Sequence, residues 1–127
     1  MNIEYAFFAN MLMFVADRTP AVDENVGEMI FHLRAMADQV KEGKNISIKA
    51  KNVPHAARGL AGVTALLVDK ILPEAAADEN EAAVKQITWT SDSCLKLSGE
   101  LVQELKAKGE DVDGDEMITV ALPPLPQ

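Results

Sequence analysis

Apolar residues recur along this chain with two distinct periods. Residues 3–17 are apolar almost all round, with Asn10 the only polar interruption inside the run YAFFANMLMFVA. A helix of that kind is buried centrally or between subunits. In so short a chain, burial on every side predicts self-association. The next run begins at Thr19-Pro20, a pair that suits a helix start. Val22, Val26, Met29, Leu33, Met36 and Val40 then step by four and three, a heptad-like stripe for antiparallel bundle packing. Phe31 lies off the stripe, and Gly43 closes the helix.

The period then changes. Ile46, Ile48 and Ala50 alternate with Ser47, Lys49 and Lys51, which predicts a short strand with one buried face. MITVAL, residues 117–122, is the only other strand-like run. The two predict a minor two-stranded element, about 46–51 and 117–122. A third helix is expected from near Pro54 to just before Pro73. On it, Leu60, Val63, Leu67 and Ile71 form a large apolar ridge. Ala57, Ala61, Ala65 and Val68 form a small surface suited to a close neighbour. A fourth helix is expected over residues 80–108, closed by Gly109. Its stripe of Val84, Ile87, Ser91, Cys94, Ser98, Leu101 and Leu105 is thin at the centre and suits the small surface of the third helix. The expected fold is mainly α: a four-helix bundle-like single domain over 1–122, then a Pro-rich tail at 123–127.

Composition narrows the chemistry. The 127 residues are 48% hydrophobic and carry a net charge of −8, as in an ordinary folded domain, with aromatics only 5%. The charge disfavours direct nucleic-acid binding. It is unevenly spread: six of the twelve basic residues lie between Arg34 and Arg58, where only Asp38 and Glu42 oppose them. A single cysteine, Cys94, excludes an internal disulfide and fits a reducing, cytoplasmic setting. The first apolar run is too short to span a bilayer, so no membrane association is expected.

No catalytic or metal set is visible. Glu28 stands four residues before His32, not the three of helical di-metal sites. Setting Gly114 sixth in a calcium loop places Val120 where a bidentate Glu belongs, so DVDGD reads as a polar turn. The glycines of HAARGLAGVTALLVDK match no phosphate-loop spacing. Two surfaces remain. Lys49, Lys51, His55 and Arg58 gather near the start of the third helix and could hold a small nucleotide-like anion. Trp89, with Lys85 and Lys96 on the same polar helix face, could anchor a protein partner. Alternatively, the poor helix formers of TWTSDS break the helix there and turn Trp89 inward. The sequence therefore predicts a non-enzymatic interaction or regulatory module without a cofactor. It would be homo-oligomeric and could act as an acidic inhibitor of a nucleic-acid-binding partner. Anion binding by the 49–58 segment is the alternative.

Overall fold

The computed structural model describes residues 2–126. Helix α1 (Ile3–Arg18) and α2 (Glu24–Lys41) form an antiparallel pair. Strand β1 (Ile46–Lys49) and a single 3-10 turn lead into α3 (Val53–Leu66). A π turn (Leu67–Ile71) joins α3 to the short α4 (Leu72–Ala77). The long α5 (Glu81–Ala107) follows, and β2 (Met117–Val120) pairs antiparallel with β1. Counting α3, the π turn and α4 as one arm, this is the expected four-helix arrangement with a two-stranded sheet. No helix among the described residues is long and apolar enough to cross a membrane.

Side chains at the helix ends explain the boundaries. Asn2 accepts from the Glu4 and Tyr5 amides, Asp23 from Val26, and Asn80 from Ala83, each satisfying helix-start donors that lack an intrahelical partner. Gly43 and Gly109, at φ +72° and +90°, end α2 and α5 in the left-handed region that glycine adopts without strain.

Two expected helix limits move. Asp23, not Thr19, caps α2, so Val22 falls in the loop and is 74% exposed. Thr19 closes α1 instead, its hydroxyl donating to the Val15 carbonyl at 2.7 Å. Pro73 does not stop the third helix. Proline lacks an amide hydrogen, and its ring crowds the carbonyl four residues back. The π turn just before it, in which the Leu72 amide reaches the Leu67 carbonyl, widens the backbone and lets the helix continue to Ala77.

The core joins all layers: Phe8 and Leu12 from α1, Leu33 and Met36 from α2, Leu60 and Leu67 from the third arm, Leu97 and Leu101 from α5, and Ile46 and Ile118 from the sheet. The ridge Leu60, Val63 and Leu67 is buried as expected. Its predicted small flank is not: Ala61 and Ala65 are exposed and Val68 is 45% exposed. The small residue that meets α2 is Gly59, one turn from buried Ala56. A Cβ on Gly59 would lie 2.9 Å from two atoms of Leu33. Helix α5 packs on the row between, where the Ser98 hydroxyl donates to the Ala57 carbonyl and Thr64 reaches the Ser91 carbonyl. Helix α1 is less enclosed. Phe8, Ala9, Met11, Leu12 and Ala16 are buried, while Phe7, Met13, Phe14 and Val15 are only half-buried.

Candidate functional site

The predicted anion residues fall into two groups. Lys49 and Lys51 turn toward Asp115, at 3.7 and 3.0 Å. The Lys51 hydrogen bond and the charges of both lysines hold the Asp115 carboxyl below the usual carboxylate range. His55 stacks on His32 instead, ring centroids 6.4 Å apart and ring planes nearly parallel. Arg58, one turn further on, is exposed. The sequence places these four within ten residues, but the strand-to-helix bend turns their side chains to different neighbours.

Trp89 is half-buried rather than fully exposed. Helix α5 runs unbroken through TWTSDS, and the half-buried indole packs beside Tyr5 and Phe8 of α1. The start of the Pro-rich tail is held against the helices. Tyr5 donates its hydroxyl proton to the Pro123 carbonyl at 2.6 Å, and the Trp89 indole N–H donates to the Pro124 carbonyl at 2.9 Å. Lys85 and Lys96 are both exposed on α5.

Cys94 is sealed against α3. Burial pushes its thiol up to about 12, only slightly opposed by a hydrogen bond with Thr64, so it is a poor nucleophile at neutral pH. Among the described residues no three His, Cys, Asp or Glu side chains come close enough to hold a metal ion. His32 Nε2 is buried without a hydrogen-bond partner and lies 3.6 Å from the Glu28 carboxylate.

A groove of about 480 Å³ lies between α5 and β2. Its helical wall has two adjacent rows spaced i, i+4. Leu95, Gly99 and Gln103 form one row; Lys96, Glu100 and Glu104 form the other. Leu95 is 54% exposed, between buried Cys94 and exposed Lys96. Gly99 has open space where its Cβ would stand, so packing within the chain does not require a glycine there. A mid-helix glycine costs roughly 1 kcal/mol relative to alanine. The charged row leans acidic, because Lys96 already faces Glu100 at 3.9 Å and Glu104 adds a second carboxylate.

The other wall is a strand edge. Ser47 of β1 donates its amide to the Gln39 side chain and accepts from that side chain at its carbonyl. Both backbone groups of Ser47 therefore point away from β2. Ser47 stands opposite Thr119, so this is a non-hydrogen-bonded pair of the antiparallel ladder. The Thr119 amide and carbonyl accordingly point outward, along the groove. The Ala50 amide bonds the Glu116 carbonyl, which is the alternation this register demands.

The sequence reading missed this groove. Lys96 was its only expected contact residue here. The signals available were an apolar Leu95 among charged neighbours, a glycine in a long helix, and the uncharged run MITVAL. Which edge of that run stays open depends on its pairing with the distant strand β1. No protein-family model matches the chain, and no curated protein and no solved structure matches it.

Proposed function

We propose that this chain is a non-enzymatic protein-interaction module that receives a partner in the groove between α5 and β2. The reading rests on one observation: half-exposed Leu95 and unpacked Gly99 lie beside a strand edge whose outward backbone groups have no partner among the described residues. Apolar surface rimmed by polar residues marks contact sites.

The test is site-directed photo-crosslinking in the producing cell. A photoreactive residue replacing Gln103, inside the groove, is expected to form a discrete adduct. The same residue replacing exposed Asp69, on the π turn, is not. Equal labelling at both positions, or none at position 103, would remove the reading.

A further inference from the structure

The two edges of the small sheet are treated differently. The outer edge of β1 is closed by Gln39, whose side-chain amide makes both hydrogen bonds that a neighbouring strand would make to Ser47, at 3.1 and 3.2 Å. Among the described residues none clamps the outer edge of β2 in this way. From Met117 to Leu122 it has no charged residue and no proline, the features that normally discourage strand addition. Thr119 and Ala121 are exposed along it, and Met117 is 47% exposed.

Resting on the docking reading above, we propose that the groove receives an extended, lysine- or arginine-bearing segment of a partner protein as a third strand on β2. The outward amide and carbonyl of Thr119 supply main-chain hydrogen bonds, and pockets beside the edge select alternate side chains. Leu95 offers apolar contact to one set. Gly99 lets the incoming backbone approach α5 without meeting a Cβ. Glu100 and Glu104 attract the basic side chains. The same carboxylates argue against a second copy of this chain as the occupant. Symmetric pairing of two β2 edges would bring two Glu100/Glu104 pairs together, on chains that each carry a net charge of −8.

The probe is a fluorescent nine-residue peptide of alternating lysine and valine, compared with its glutamate-valine counterpart. Fluorescence anisotropy and amide hydrogen exchange of the full chain read the result. The lysine peptide is expected to bind saturably and to slow exchange at Thr119 by roughly tenfold or more. The Ile118 amide, which points into the existing ladder, should change little. Gly99→Leu puts a side chain into the groove at a position where the added Cβ meets nothing within 4 Å, so it should fold and weaken binding by about tenfold, or 1.4 kcal/mol, with the circular dichroism spectrum checking the fold. Glu104→Lys should weaken the lysine peptide and not the glutamate peptide. No slowing at Thr119, equal affinity for both peptides, or indifference to Gly99→Leu overturns strand addition. Concentration-dependent protection of Thr119 in the free protein, with a dimer in sedimentation, would overturn the partner segment in favour of a second copy. A groove-specific crosslink at position 103 without Thr119 protection would sink the third strand and leave the interaction module standing.

Discussion

Gly59 and Gly62 are three residues apart on one helix, yet the same change to alanine should have opposite effects. A Cβ at Gly59 would lie 2.9 Å from Leu33 Cγ and Cδ2 and 3.2 Å from Met29 Cγ. Carbon atoms pack best at about 3.5–4.0 Å, so the new methyl is more than half an ångström too close. Leu33 is fully buried, and its Cγ is the branch point of the side chain, so it cannot swing clear into solvent. Overpacking of this kind costs about 1–3 kcal/mol. The helix-propensity gain of about 1 kcal/mol offsets part of it. The net expectation for Gly59→Ala is a loss of about 1 kcal/mol. At Gly62 nothing lies within 4 Å, so Gly62→Ala keeps the gain of about 1 kcal/mol. The two variants should therefore differ by about 2 kcal/mol, or roughly 6–10 °C in melting temperature for a chain of this size. Urea unfolding with an unchanged slope measures the difference directly. Leu33→Ala in the Gly59→Ala background should recover part of the loss as a favourable coupling energy. A Gly59→Ala midpoint equal to or above that of Gly62→Ala would refute the close approach of α2 and α3.

Three further outcomes follow from buried polar groups. Burial holds His32 below its ordinary value of 6.5, with the charge of Glu28 opposing this and that of His55 adding to it. The unfolded chain then binds the proton more readily than the native one, so stability is full above about pH 6.5 and falls as pH drops through the window beneath it. Urea midpoints between pH 8 and 5 should show the fall, and His32→Phe should flatten it; a midpoint that rises on acidification would contradict this. Cys94 should resist a thiol-specific disulfide reagent at pH 8 until the chain is unfolded, because burial pushes its thiol up to about 12; prompt native labelling would count against its placement. Tyr5→Phe removes the 2.6 Å hydrogen bond to the Pro123 carbonyl and should cost about 0.5–1.5 kcal/mol. It should also red-shift Trp89 emission as the segment lifts, whereas unchanged emission and stability would show that the segment is held elsewhere.

Much of this architecture is local and can be read from the sequence. The stripes of α2 and α5 and the alternation of β1 and β2 each follow from side-chain period. So do the stops at Gly43 and Gly109, where the backbone turns left-handed. These features need no knowledge of neighbours. Three others do. The ridge of α3 has small residues on both sides, so period alone cannot choose between Ala56 with Gly59 and Ala61 with Ala65; the position of Leu33 on α2 decides it. Trp89 sits on a face that reads as polar along α5, and only the return of α1 and the Pro-rich segment covers it. The candidate groove is the most tertiary feature of all. Its open edge exists because β1, seventy residues away in the chain, pairs with the other edge of β2 in a register that turns the Thr119 amide and carbonyl outward, while Gln39 closes the far edge of β1. A side chain's period is set by bonds within its own segment, and the sequence determines it alone. Which face is covered and which edge is left open is set by segments distant in the chain, and only their packing decides it.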